Sequence, residues 1–182
     1  MKKSINKIYE RIENQRLMIL ENLESISPEQ LHYREKPDSW SRLQVVLHLV
    51  KAEQLTANYI QRKLRAKKNL KKAGIGSSIR MILLKLGLNM PVKYKAPKMV
   101  DVTDHKTDLS HLKYEWETVR KKIKDLIDQC DEKTLQKALF KHPRAGYLNF
   151  KQALEFIELH IAHHEKQIKR IEAASKSVLK IQ

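Results

Sequence analysis

The stretch NFKQALEFIELHIAHHEKQIKRI, residues 149–171, carries the strongest fold signal in the chain. Its apolar residues recur at intervals of three, four and seven, which places them on one face of an α-helix. They are Phe150, Leu154, Ile157, Ile161, Ile168 and Ile171. Asn149 precedes this stripe and Gln152 stands at the third helical position, a pattern typical of a helix start. The stretch therefore predicts a long amphipathic helix that buries one face in a core.

Three further segments have the same periodicity. Their apolar stripes lie within residues 5–23, 41–59 and 109–127. Ser41 and Gln44 form a capping-box pattern at the start of the second of these segments. Four stripes, with a long crossover between the second and third long helices, predict an all-α four-helix bundle.

Shorter elements are predicted in the connections between the long helices. Ser27 and Pro28 fit the N-cap and first position of a short helical turn. We expect a short apolar helix over Ile79–Leu86 and a helical turn over Asp131–Leu139. The pattern shows no internal boundary, so we expect residues 1–182 to form a single domain.

The composition favours a cytoplasmic protein with a helical core. Of the 182 residues, 41% are hydrophobic, and only 4 are Gly and 5 are Pro. The basic N-terminus is not followed by a continuous apolar stretch, so we expect no secretory signal. The longest apolar run, residues 81–84, is too short for a transmembrane segment. A single cysteine, Cys130, cannot form an internal disulfide, which is typical of a reducing compartment.

The chain is strongly and unevenly basic. It has 37 Lys and Arg against 21 Asp and Glu, a formal net charge of +16, and residues 61–100 contain no acidic residue. Such a segment attracts anions, although a solvated basic surface is the simpler interpretation. The alternative to an enzyme is a non-catalytic basic binding module with a structural or vestigial metal site, in which Ile79–Leu86 docks a partner protein or an anionic membrane. Nucleic acid is the least favoured partner, because the segment has one aromatic residue, Tyr94, on which a base could stack.

Two histidines of the fourth helix have the spacing of metal ligands. His160 and His164 stand at i and i+4, so both imidazoles project from one helix face about one turn apart. Gln167 lies one turn further along nearly the same face. His163 is turned about 60° away from His160, which makes it a neighbour of the pair.

A third histidine lies in an apolar helix. His48 stands within VVLHLV, residues 45–50, of the second predicted long helix. A histidine in such a place is either hydrogen-bonded in the core or coordinates a metal ion. Three histidines from two packed helices would leave open coordination positions for water or substrate. The residues alone leave both interpretations open.

Two blocks of the sequence resemble the DinB-like superfamily. The first is PDSWS at residues 37–41, followed by His48. The second is HPRAGYL at residues 142–148, followed by HIAHHEKQ at residues 160–167. The segment at residues 95–97, before the third long helix, is also similar to the family. The resemblance covers nearly the whole chain.

The resemblance implies that the four-helix bundle is of DinB type, and it also implies a function. It implies a divalent metal ion, nickel or zinc, on three ligands, with Gln167 and His163 in the shell around them. The ligands would be His48, His160 and His164. The family includes metal-dependent hydrolases and thiol S-transferases, so it implies a small-molecule substrate, a low-molecular-weight thiol in the second case, and a homodimer.

The sequence assigns no catalytic general base. Glu53 follows His48 by five residues, about 140° around the helix, and should therefore point elsewhere. Gln167 can hydrogen-bond a ligand but cannot accept a proton as a base. We expect His142 and Pro143 to fix the loop before the fourth helix, and Trp40 to pack at the start of the second.

Overall fold

The structure is a computed structural model and describes residues 1–66, 70, 74, 76 and 98–179. In this part of the chain four long helices and several short elements follow one another. They are α1 (Lys2–Glu24), α2 (Pro28–His32), α3 (Arg42–Ala66), a 3-10 turn (Lys98–Val100), α4 (Leu109–Gln129), α5 (Glu132–Leu135), β1 (Phe140–His142), β2 (Gly146–Leu148) and α6 (Phe150–Leu179).

The four long helices form a bundle, which confirms the predicted all-α class. Helix α1 packs against α4 and α6, and α3 packs against the same two helices. Arg42, at the start of α3, donates to Ser175 Oγ near the end of α6 over 2.6 Å. Tyr59, near the end of α3, contacts Phe140 just before α6, with ring centroids 5.7 Å apart. Helices α3 and α6 are therefore antiparallel neighbours.

The predicted stripes line the core. Their burial removes apolar side chains from water, the largest favourable contribution to folding. Ile5, Leu112, Trp116, Phe150 and Ile161 are all fully buried. None of the described helices combines the length and apolarity needed to cross a membrane.

The predicted helix starts have the expected hydrogen bonds. Ser41 Oγ accepts from the Gln44 amide over 3.3 Å, and Gln44 Oε1 accepts from the Ser41 amide over 3.0 Å. Ser27 caps α2 with Pro28 as its first residue, as predicted. The helix predicted over Ile79–Leu86 and most of the basic segment 61–100 lie outside the described residues.

The prediction of a helical turn over Asp131–Leu139 is wrong in its second half. Helix α5 ends at Leu135, and β1 and β2 then form an antiparallel hairpin. Burial alternates along β1, with Phe140 and His142 inside and Lys141 outside, which is a strand period. Gly146 has a φ of 69° and supplies the left-handed residue at the end of the turn. An alternation of buried and exposed residues that covers only three positions is too short to detect in the sequence.

A buried ion pair joins α3 to α4. Glu53 and Arg120 are each 1% exposed, and Arg120 Nε lies 2.9 Å from Glu53 Oε2. Arg120 Nη2 and Trp116 Nε1 both donate to Glu53 Oε1, over 2.9 and 3.0 Å. Burial raises the pKa of the Glu53 carboxyl, and the charge of Arg120 opposes that rise. Glu53 therefore faces α4; its angular position on the helix had predicted only that it does not share the face of His48.

Candidate metal centre

Three histidines meet between the middle of α3 and two successive turns of α6. His48 Nε2 lies 3.2 Å from His160 Nε2, and His164 Nε2 lies 3.1 Å from the same atom. All three nitrogens lie within 4.8 Å of one another. The antiparallel packing of α3 on α6 thus brings together the three residues that the sequence singled out.

The spacing of the nitrogens fits one metal ion. Histidine nitrogens bind zinc-type ions at about 2.0–2.1 Å, so two ligands at tetrahedral or octahedral angles lie about 2.9–3.4 Å apart. The two Nε2–Nε2 distances of 3.2 and 3.1 Å fall within that interval. Two of the three nitrogen pairs therefore have the spacing of ligands to one ion, and the third pair lies within 4.8 Å.

Hydrogen bonds on the outer nitrogens orient two of the imidazoles. His48 Nδ1 lies 2.9 Å from the Val100 carbonyl oxygen, which can only accept, so His48 donates from Nδ1. His164 Nδ1 lies 2.8 Å from Gln167 Oε1 and donates to it. With Nδ1 protonated in a neutral ring, the Nε2 lone pairs of His48 and His164 both point towards His160. Such outer partners fix the tautomer of metal-binding histidines.

The cluster has more acceptors than protons. His160 Nε2 can donate one proton to one of its two neighbours at a time. The lone pair of the other neighbour is then left without a donor, in a site where His48 is 5% and His164 8% exposed. A buried acceptor without a donor is costly. A cation in the centre would satisfy all three nitrogens at once, so the residues present fit a divalent metal ion.

All three imidazoles are held in the neutral form that binds metals. Burial is the main cause: it lowers the pKa of His48 and brings the pKa of His164 to about 3. The pKa of His160 is well below its usual value because of burial and the two neighbouring histidines. At neutral pH no proton therefore has to be displaced when an ion binds.

Trp40 covers the cluster on one side. Its ring centroid lies 4.9 Å from that of His48 and 6.5 Å from that of His164. Trp40 Nε1 donates to Thr103 Oγ1 over 3.2 Å, and Gln44 Nε2 donates to the carbonyl of Thr103 over 2.7 Å. The segment that supplies the Val100 carbonyl is thus attached to α3 at several points. Besides packing at the start of α3, Trp40 therefore covers His48 and His164, a contact that its position in the sequence did not reveal.

The other two predicted site residues lie beside the cluster. Gln167 accepts from His164, as described above, in the position of an outer partner. The ring of His163 packs edge-on against His164 at 5.1 Å between centroids, and its nitrogens are not among the three that converge. The Val100 carbonyl is an outer partner that the sequence could not indicate, because a backbone carbonyl has no residue signature.

Removal of the Gln167 acceptor should weaken metal binding without abolishing it. We expect Gln167→Met to lower the affinity for zinc roughly 10–100-fold, the usual effect of losing an outer partner of a ligand histidine. Gln167→Glu keeps an oxygen for the His164 Nδ1 proton and should retain the affinity. Competition with a chromogenic chelator measures both constants. Equal affinities for wild type and Gln167→Met would show that this hydrogen bond does not support the site.

The helical bundle and the three-histidine cluster between neighbouring helices fit the class of metal-binding four-helix-bundle proteins. The family model described as the DinB superfamily matches residues 11–168, most of the chain. The protein belongs to the DinB superfamily. No significant match to a curated protein was found.

Proposed function

We propose that the protein binds one divalent ion through His48, His160 and His164 and is an enzyme that activates a nucleophile there. The reaction would be a hydrolysis or the transfer of a low-molecular-weight thiol. The convergence of three neutral imidazole nitrogens, two of them oriented by hydrogen bonds on Nδ1, is the observation that supports it. Membership of the DinB superfamily is consistent with this function.

Three protein ligands leave coordination positions open, as catalytic sites do. A divalent ion in the cluster would supply Lewis acidity, which brings the pKa of a bound water or thiol towards neutrality. The protein's own contribution is to hold the nitrogens in a fixed face, and Trp40 limits the access of water on one side. Glu53 is occupied by Arg120 and Trp116 and does not serve the site as a base.

Nickel and zinc are the ions that we propose. Imidazole nitrogen suits both, and nickel binds nitrogen ligands more tightly than manganese or iron does. The cluster contains no carboxylate, the ligand that magnesium and calcium require. Equilibrium dialysis against each ion would rank them.

Loss of any one histidine of the cluster should remove the metal. Untagged wild type purified without chelator should contain close to one nickel or zinc per chain, measured by mass spectrometry. We expect His48→Ala, His160→Ala and His164→Ala to fall to background, because two nitrogens bind far more weakly than three. His111→Ala, which removes an exposed imidazole on α4, is the control and should keep the metal. A folded wild type that takes up neither ion in dialysis would refute the proposed function.

Hydrolysis and thiol transfer differ in the nucleophile, which is water in the first and a small thiol in the second. Zinc- or nickel-loaded protein is incubated with a chromogenic ester, and in parallel with a chromogenic electrophile and a small thiol. Turnover that requires the thiol indicates a transferase, and turnover without it indicates a hydrolase. The His160→Ala protein gives the background for both assays. Metal-loaded wild type that matches this background in both would leave a metal-binding protein without the proposed catalysis.

A further inference from the structure

His142, at the end of β1, has its Nδ1 atom fixed as an acceptor. The backbone amides of Arg144 and Ala145 donate to it over 3.2 and 3.0 Å. The imidazole thereby stabilises the hairpin turn, as expected for the loop before α6. A nitrogen that accepts two N–H groups carries no proton, so the neutral ring must carry its proton on Nε2.

The Nε2–H group of His142 is a defined donor that the hairpin does not use. The side chain is 8% exposed, and Nε2 makes no hydrogen bond within the described part of the chain. Burial, and then the nearby charge of Arg144, lower the pKa of His142 to about 4, so the ring is neutral at neutral pH. A neutral imidazole in one tautomer can donate a hydrogen bond without a change of charge.

The same imidazole lies beside the histidine cluster. Its centroid is 4.4 Å from that of Phe156, whose ring is stacked on His160 at 5.3 Å. His142 is also close enough to His160 that a proton on His142 would lower the pKa of His160. The hairpin therefore presents His142 at the end of the cluster towards the start of α6, and Trp40 lies against His48 and His164.

We propose that His142 Nε2–H donates a hydrogen bond to a carbonyl or phosphoryl oxygen of the substrate bound at the histidine cluster. This inference rests on the proposed function and adds a substrate class to it: an electrophile that carries an acceptor oxygen. The donor would orient that oxygen. The hydrogen bond from Nε2–H would become stronger as negative charge develops on the oxygen. His142 thus has two roles, with Nδ1 in the turn and Nε2 at the site.

One substitution separates these roles. In His142→Asn the Asn Oδ1 can take the place of Nδ1 and accept from the turn amides, as asparagine does in Asx turns, while the Nε2 donor is lost. We expect zinc content and urea midpoint close to wild type, with inorganic phosphate bound roughly tenfold more weakly to the zinc-loaded protein, the effect of one hydrogen bond. Calorimetric titration measures the phosphate affinity. Tyr147→Phe, on the neighbouring strand, is the control and should bind phosphate like wild type.

A second measurement does not depend on the folding of a variant. In nitrogen-15 spectra of zinc-loaded wild type, His142 should show an unprotonated Nδ1 and a protonated Nε2, and the Nε2–H signal should shift when phosphate is added. A role confined to the turn predicts the same tautomer but no shift. The absence of a shift, or unchanged phosphate affinity in His142→Asn, would overturn the inference and leave the metal site intact. A wild type that takes up no zinc would instead refute the proposed function.

Discussion

Arg120→Met should lower the free energy of unfolding by about 3–5 kcal/mol, because it leaves the Glu53 carboxylate buried without its partner. The carboxyl is 1% exposed and keeps only the indole N–H of Trp116 as a described side-chain donor. Urea unfolding of metal-free protein at pH 7 measures the loss. The deficit should shrink as the pH is lowered, since protonation of Glu53 removes the unpaired charge.

A double variant tests whether the cost comes from the unpaired charge. Glu53→Gln with Arg120→Met removes both charges and keeps an oxygen for the Trp116 indole, so it should recover much of the lost stability. Lys121→Met breaks an exposed pair with Glu117 on the same helix and should leave the urea midpoint unchanged. A single variant as stable as wild type would show that the buried pair contributes nothing.

Metal-free protein should lose stability steeply between pH 7 and pH 5. The pKa of His142 is lowered from its usual 6.5 to about 4, and that of His164 to about 3. Below pH 6.5 the unfolded chain takes up protons that the folded chain does not, so stability is complete above 6.5 and falls as the pH is lowered. Each histidine contributes about 1.4 kcal/mol per pH unit once the pH is well below 6.5. His48 and His160 act in the same direction.

Urea midpoints at pH 7, 6 and 5, in the presence of a chelator, measure this slope. His142→Asn lacks one of the titrating groups, so its curve should be shallower by about 1.4 kcal/mol per pH unit at the acid end. A flat stability between pH 7 and 5 would contradict the lowered pKa values.

The bundle could be predicted because its helices are long and regularly patterned. A stripe such as that of residues 149–171 repeats over many turns, and only a helix packed on other helices buries it. The i, i+4 spacing of His160 and His164 likewise fixes their common face without any tertiary information. His48 stood out because a polar ring in an apolar helix requires a partner.

The parts that were missed depend on tertiary contacts. Arg120 and Glu53 are 67 residues apart, and each looks like an ordinary charged residue in its own helix. The hairpin at residues 140–148 is too short for its alternation to compete with a helical interpretation. Trp40 covers His48 and His164 because α3 packs against α6. The sequence motif around Trp40 does not encode that packing.

The proposed ligands His48 and His160 are separated by 112 positions, so an ion that binds both closes a very large loop of chain. His160 and His164 can meet an ion as soon as one helix forms, but the third nitrogen arrives only with the antiparallel pairing of two distant helices. The entropy cost of closing that loop is offset by the free energy gained when the bundle folds. Tight metal uptake should therefore come late in folding and act as a cross-link that slows unfolding, which makes the rate of metal release a measure of how fast the bundle opens.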